Sequence, residues 1–328
     1  MTKSFLVTGG SGFIGASLVQ RLVLDGHKVR VLDNNTRGNC RRLRLVEDDI
    51  DFIYGDIRDS NITKEAAKGM DCVCHLAYVN GTEFFYTRPE LVLDVAIRGM
   101  INVIDACRQH NIGDLIIASS SEVYQSPSQF PTPEEVPLVI PDISNPRYSY
   151  GGGKILCELI GMNYGRTDFD RVVIFRPHNV YGPDMGWEHV IPQFAIRAKE
   201  LCMNKGSSIT FPIKGNGKQT RSFIYIEDFI EGLIAVIEKG KHLSCYNIGT
   251  DFEVSIAEVA RQVVACFGLE AIILPSDPPS GETNRRCPDL RKICSLGYNP
   301  VHAFSDGLRT TVNWYSENYL LRPSGHPF

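Results

Sequence analysis

The chain of 328 residues has no long apolar run. Its hydrophobic stretches are strand-length and broken by charges, so no transmembrane helix is predicted. It has no basic excess either. Thirty-four Lys and Arg stand against 38 Asp and Glu, a net charge of −4, which gives no global positive field to attract nucleic acid. The one dense basic stretch, Arg37 to Arg44, reads as a solvated loop face, with a phosphate contact as the alternative. The N-terminus enters a strand almost at once, without a signal-peptide pattern. None of the ten cysteines forms a Cys-x-x-Cys pair, and several sit inside apolar runs. They read as reduced, small hydrophobic residues in a cytoplasm, with no disulfide framework and no metal site. Internal repeats and low-complexity tracts are also missing.

What is present is a rhythm. In the first half, short apolar runs alternate with helical patterns. "SFLVTGG", "HKVRVLD" ending at Asp33, "IDFIYGDI" ending at Asp56, "DCVCHLA" ending near Ala77, "DLIIASSSEVY" and "RVVIFRPHNVYGP" read as strands. Between them, Ile14, Leu18 and Leu22 mark one helix face, and a long helix is predicted from Pro89 to His110. Strands alternating with helices imply an α/β fold with a doubly wound parallel sheet. Ligands of such sheets gather beyond the carboxyl ends of the strands. After Gly182 the loops lengthen, and Pro, Gly and charged residues cluster at 183–222 and 274–291. "RSFIYIEDFIEGLIAVIEK" and "CYNIG" read as a helix and strand that return to the first domain. The expected division is 1–182, with 222–250 returning to it, and a smaller, discontinuous lobe of 183–221 and 251–328.

The first polar strand end is "VTGGSGFIG", where Gly9, Gly12 and Gly15 recur every third residue between a strand and a helix. Glycines there let the backbone approach a pyrophosphate, and the helix start offers free N–H groups and a positive dipole end. Asp33 ends the second strand, where a carboxylate accepts from ribose hydroxyls and repels a 2′-phosphate. That favours NAD over NADP, with Arg37 nearby as the counterargument. Asp56, ending the third strand, is a candidate for the adenine end or simply a turn former.

Tyr150 and Lys154 stand at i and i+4, on one face of a helix. An ammonium beside a phenol favours the phenolate, a good base for an alcohol proton. "ASSSEVY" places serines at another strand end, where a hydroxyl can hydrogen-bond a substrate oxygen.

Together these motifs resemble the extended short-chain dehydrogenase/reductase family, specifically its NAD-dependent nucleotide-sugar epimerases and dehydratases. "VTGGSGFIG", "SSSEVY", "YSYGGGK", "RPHNVYGP" and "GNGKQTRSFIYIEDF" match its ordered segments over nearly the whole chain. The resemblance implies a Rossmann domain with a nucleotide-sugar lobe. It implies NAD held by Gly9, Gly12, Phe13, Ile14, Gly15, Asp33, Asp56, Ile57, Leu76 and Ala77, together with Tyr150 and Lys154. Ser120 stands at the family's catalytic serine/threonine, Tyr150 at its base, and Lys154 at the base's partner on the nicotinamide ribose. Ser120, Ser121, Asn179, Arg221 and Arg286 would hold a nucleotide-diphosphate sugar, the arginines clamping its phosphates. A homodimer through helices near 94–110 and 150–165 is implied as well.

The shared first step of the family is oxidation at sugar C4 to a 4-keto intermediate. Glu122 bears on the fate of that ketone. Ser120-Ser121-Glu122 resembles the triplets of 4,6-dehydratases and of UDP-glucuronate decarboxylases, and a carboxylate there can serve C5. A 4,6-dehydratase-like reaction is the leading reading, with a 4-epimerase or a decarboxylase as alternatives. A non-catalytic NAD-sensing protein and a simple ketoreductase are further ones. Four departures from the family pattern point to a subgroup with its own substrate. They are Gln125 after "VY", the triple glycine 151–153, Ala96, and Tyr78 after "HLA". Residues 80–90 are expected as a loop beside the nicotinamide, and His178 and "MGWEHVIPQF" as sugar-pocket lining.

Overall fold

The structure, a computed structural model, describes residues 2–202, 206–277 and 283–322. Part of the Pro- and Gly-rich stretch 274–291 and the end of the expected lobe therefore lie outside the described residues. The first half contains β1 (Ser4–Thr8), α1 (Phe13–Leu24), β2 (Lys28–Asp33), β3 (Ile50–Tyr54), α2 (Ser60–Ala67) and β4 (Cys72–His75). It continues with α3 (Thr82–Thr87), α4 (Pro89–His110), β5 (Asp114–Ala118), α5 (Ser149–Asp168) and β6 (Arg171–Pro177). Next come β7 (Val180–Tyr181), α6 (Val190–Leu201), β8 (Ser208–Lys214), β9 (Thr220–Ser222), β10 (Ile224–Tyr225) and α7 (Ile226–Lys239). The chain closes with β11 (Ser244–Ile248), β12 (Glu253–Ser255), α8 (Ile256–Ala265), β13 (Glu270–Ser276), β14 (Arg285–Arg286), α9 (Arg291–Cys294) and α10 (Phe304–Glu317).

The central sheet has seven strands in the order β11-β6-β5-β4-β1-β2-β3, and every pair in it is parallel. The doubly wound α/β sheet expected from the alternating pattern is present. β1 lies between β2 and β4, so the strand order reverses there and a crevice opens at the carboxyl ends. Alternation along the strands feeds two cores. Phe5 and Val7 of β1 pack with Leu18, Leu22 and Phe229 on one face. Leu6 packs with Val95, Met100, Ile117 and Cys157 on the other. β11 is the outer strand beside β6, which brings the chain after α7 back to this sheet.

Three small sheets lie beyond it: β10-β7, β12-β9-β14 and β13-β8. Phe211, Ile213, Val259 and Val263 from this region join the first core, so the smaller layer is packed directly on the larger. β9 and β14 pair in parallel with Arg221 opposite Arg286, which carries both arginines on one short ladder. Two sequence expectations change. Residues 80–90 contain helix α3, and Cys40–Asp49 forms 3₁₀ turns where a loop was expected. Among the described residues no helix is long and apolar enough to cross a membrane, and all ten cysteines are free.

Candidate active site

The chain leaves β1 through Gly9 at φ +73°, a left-handed conformation that suits glycine. A β-carbon on Gly9 would lie 2.7 Å from the Ala77 nitrogen, and one on Gly15 would lie 2.1 Å from the Gly9 carbonyl oxygen. Backbone therefore packs on backbone. α1 begins with Gly12 as its N-cap, and no side chain caps its first amides. Open donors at the positive end of a helix suit a pyrophosphate. The Asp33 carboxylate accepts from the Ser11 amide at 3.0 Å and the Asn35 amide at 2.8 Å. These bonds fix it beside the turn and leave acceptor capacity for a ribose diol. Asp56 is more fully engaged. It accepts from Arg58 Nη2 at 2.8 Å and Asn34 Nδ2 at 3.0 Å, and the Arg58 hydrogen bond above all lowers its pKa to about 2. The turn, the uncapped helix start and the Asp33 carboxylate form a cradle that fits a dinucleotide.

The basic stretch is not the solvated face expected from sequence. Arg37 pairs with Glu188 and Arg41 with Asp184, and Arg42 Nη2 donates to the Asp184 carbonyl at 2.9 Å. The segment after β2 is thereby tied to residues 184–189, and Arg37 is engaged by a carboxylate. The sequence offered no signal for these pairs, because their partners lie far along the chain.

At the other end of the cleft, β5 stops at Ala118 and Ser121–Tyr124 coil into a 3₁₀ turn. Ser120 caps this turn, its Oγ accepting from the Glu122 amide at 3.2 Å. The same hydroxyl acts on the Tyr150 phenol and favours its ionised form. Tyr150 and Lys154 share a face of α5, but Lys154 is not among the largest influences on the phenol. Burial pushes the phenol up to about 12, and the Ser120 hydrogen bond and the Arg286 charge pull the other way. Lys154 Nζ donates instead to the Ala118 carbonyl at 2.6 Å, and burial lowers its pKa to about 8. Phe85 of α3 stacks on the Tyr150 ring with centroids 4.8 Å apart.

Glu122 points from the turn toward β14, where Arg286 Nη1 donates to its Oε1 at 2.5 Å. Burial raises the Glu122 carboxyl, but the charges of Arg286, Arg147 and Arg221 outweigh it and hold the group below its usual value. Arg147 was not singled out from the sequence. It lies just before Tyr150, and its Nε is buried without a partner, as is the Arg286 Nε. Beneath the site, Arg176 and Glu158 form a buried ion pair at 2.6 Å, and Arg176 also donates to the Tyr124 hydroxyl at 2.7 Å. That pair anchors β6 to α5 one turn beyond Lys154.

One cleft of about 490 Å³ gathers nearly all the residues singled out from sequence, a size typical of ligand sites. Gly9, Gly12, Phe13, Ile14, Gly15, Asp33, Asp56, Ile57, Leu76 and Ala77 line one end. Ser120, Ser121, Glu122, Tyr150, Lys154, Asn179 and Arg286 line the other. Arg221 does not line it; it sits behind, opposite Arg286 on the ladder. Asn179 takes φ +40° and donates to the Ser222 carbonyl at 3.0 Å. Met185, Gly186 and His189 reach the cleft. His178 does not, contrary to expectation. It is fully enclosed and bonded to Asn247 at 3.1 Å, and burial lowers its pKa to about 3.

Comparison with known proteins adds four findings. A family model described as the NAD dependent epimerase/dehydratase family matches residues 5–249. Among curated relatives, a dTDP-D-glucose 4,6-dehydratase of Homo sapiens is 29% identical over 97% of this chain and 91% of its own length. A UDP-N-acetyl-alpha-D-glucosaminuronate decarboxylase of Bacillus cytotoxicus is 31% identical over 97% of this chain and 99% of its own. Among solved structures, the dTDP-glucose 4,6-dehydratase DesIV of Streptomyces venezuelae, with NAD bound, superposes with a TM-score of 0.85 at 28% identity. That match covers 97% of this chain and 98% of the other.

Proposed function

Because this chain belongs to the NAD dependent epimerase/dehydratase family, we propose that it oxidises a nucleotide-diphosphate sugar at C4 and then works at C5 through Glu122. NAD supplies the hydride acceptor for C4 and the hydride donor for the later reduction. The carrying observation is Glu122 itself, on the turn that Ser120 caps, ion-paired to Arg286, with the charges of Arg147 and Arg221 also favouring its ionised form. A simple epimerisation at C4 has no use for that group.

In this reading Ser120 hydrogen-bonds the C4 oxygen and Tyr150 takes its proton. The 4-ketone acidifies C5–H. Glu122 accepts the C5 proton, the C5–H electron pair becomes a C5=C6 double bond, and the C6–O bond breaks. Glu122 then hands that proton to the departing hydroxide and water leaves. Hydride then adds to C6, a solvent proton relayed through Glu122 adds to C5, and Tyr150 releases to solvent the proton it took from the C4 hydroxyl, giving a 4-keto-6-deoxy sugar. Lys154 holds the cofactor ribose, Asn179 the sugar nucleotide, and Arg286 the diphosphate, with the charge of Arg221 behind it. We assign cofactor work to 1–182 with 222–250, and sugar-nucleotide work to 183–221 with 251–328.

One observation favours a second reading. Arg147 is a cation beyond the two assigned to the diphosphate, and its charge also bears on Glu122. A C6 carboxylate would engage it, and a 4-keto uronate would then lose carbon dioxide instead of water.

Incubation in heavy water with UDP-, GDP-, dTDP- and CDP-sugars, a uronate among them, separates these outcomes. Deuterium at C5 with a 4-keto-6-deoxy product supports dehydration, and carbon dioxide release supports decarboxylation. Retention of every C–H bond with one inverted carbinol would remove Glu122 from the reaction and leave a 4-epimerase.

We further infer a homodimer through α4 and α5. These helices pack side by side and leave Ile97, Leu156 and Leu159 exposed. Sedimentation of the wild type against Leu159→Lys tests it. Ten free cysteines suit a reducing cytoplasm.

A further inference from the structure

We propose that Tyr78 is a positioning residue whose ring holds the Lys154 ammonium in place, and that Gly153 exists to make room for its hydroxyl. The inference rests on the reading that Lys154 serves the reaction, and it joins three sequence departures into one device.

Lys154 is buried and carries three donors. The Ala118 carbonyl takes one of them. The nearest acid along the helix, Glu158, is already spent on Arg176 and Ser119. What faces the ammonium is the Tyr78 ring, 3.8 Å from Nζ to the ring centroid. A π face at that distance attracts a desolvated cation without supplying a competing charge. The same ring meets Tyr150 edge-on, with centroids 5.2 Å apart and planes at 82°. Its hydroxyl donates to the Tyr150 carbonyl oxygen at 3.3 Å. One side chain therefore sets the position of Lys154 relative to Tyr150.

The hydroxyl sits where a side chain would otherwise stand. A β-carbon on Gly153 would lie 2.2 Å from Tyr78 Oη, 3.1 Å from the Ala96 β-carbon and 3.5 Å from Tyr78 Cζ. The severe clash is with the hydroxyl alone. Glycine inside a helix is disfavoured against alanine, and here the phenol occupies the space it opens. Ala96, facing the same spot, keeps that space from closing.

The other titratable groups that act on Lys154 or feel its charge are His75, Cys157 and Glu158. Cys157 and Glu158 support the ammonium, and burial opposes it. Removing the π face takes away support for the charged form, so the Lys154 pKa falls.

The test is an NMR titration of isotope-labelled lysine in the full NAD-loaded protein, with the Lys154 signal assigned by Lys154→Met. Tyr78→Phe keeps the ring and should leave the midpoint within a few tenths of a unit. Tyr78→Leu should lower it by about one unit, and Tyr78→Met gives the same readout should the leucine variant fail to fold. A midpoint unmoved by leucine and methionine, or moved as far by phenylalanine, overturns the proposal. In a second arm, Gly153→Ala lowers the melting temperature and adding Tyr78→Phe restores most of the loss. A double variant no more stable than the single one also overturns it. Neither arm needs a sugar substrate, so an absence of turnover would count against the proposed function and leave this result readable.

Discussion

Arg286 and Glu122 form an ion pair across the cleft, Nη1 to Oε1 at 2.5 Å, which joins the ladder of the smaller layer to the turn after the fifth strand of the large sheet. The pair has a consequence for substrate binding. A diphosphate draws an arginine because its oxygens accept in pairs. In the proposed reaction Arg286 turns to the diphosphate, and Glu122 then loses the strongest charge that keeps it ionised and becomes a better base. Glu122→Gln keeps the shape and removes the proton transfer. Turnover is expected to fall about 10²- to 10⁴-fold, while the absorbance of reduced nicotinamide still rises when sugar nucleotide is added. Unchanged turnover would mean that no proton moves through this residue.

The phenol and the amine set the pH dependence. Burial raises Tyr150 to about 12 and lowers Lys154 to about 8. Below the Lys154 value the amine is charged and the phenolate fraction grows about tenfold per pH unit, so the oxidation rate should climb with pH. Above about 8 Lys154 loses its proton and with it the charge that holds the cofactor ribose in the proposed reaction, so the climb should flatten or reverse. Tyr150→Phe is expected to bind NAD as the wild type does, measured by dinucleotide titration, and to lose at least about 10²-fold in turnover.

The sheet was legible because period-two alternation and helical spacing are local signals, and Pro89 and His110 bound their helix where sequence placed it. The glycine turn and the Tyr150–Lys154 face were legible for the same reason. What escaped depends on chain segments that meet only after folding. Spacing puts Lys154 beside Tyr150 but says nothing of the Ala118 carbonyl that claims its nitrogen. Arg37, Arg41 and Arg42 look like surface cations until Glu188 and Asp184 arrive from across the cleft. Tyr78 and Gly153 look like separate oddities until one fills the other's space. His178 sits in a matching motif, yet its bond to Asn247 places it behind the cleft.

A stability prediction comes from the helix beyond the arginine ladder. Asp228 is buried. Its Oδ1 meets His302 Nδ1 at 2.9 Å, and its Oδ2 accepts from the His302 amide, also at 2.9 Å. The Asp228 hydrogen bond raises the His302 pKa above 6.5. A group whose folded-state pKa is raised stabilises the fold fully below its unfolded value and loses that contribution as the pH climbs through the folded one. The melting-temperature gap between wild type and His302→Gln should therefore be wide near about pH 5.5 and narrow by about pH 8.5. A gap independent of pH would show that the imidazole acts there only by packing.

We infer that cofactor choice is set by Asp33 and the Arg37–Glu188 pair taken together. Asp33 lines the cleft, and a carboxylate holding a ribose diol there would repel a 2′-phosphate. Arg37, the cation nearby in sequence that would offset this, is held by Glu188. Either change alone leaves one obstacle in place: Asp33→Ala removes the repulsion but leaves Arg37 tied, and Glu188→Gln frees Arg37 but leaves the carboxylate. The double variant removes both. Its preference for NAD over NADP, read from the two dissociation constants, is expected to narrow by more than about tenfold, a free-energy change of about 1.4 kcal/mol. Each single variant should shift it less than half as far on a logarithmic scale. Strict additivity of the two would mean that Arg37 and Asp33 act on the ribose independently, and no shift from Glu188→Gln in either background would mean that Glu188 plays no part in the choice.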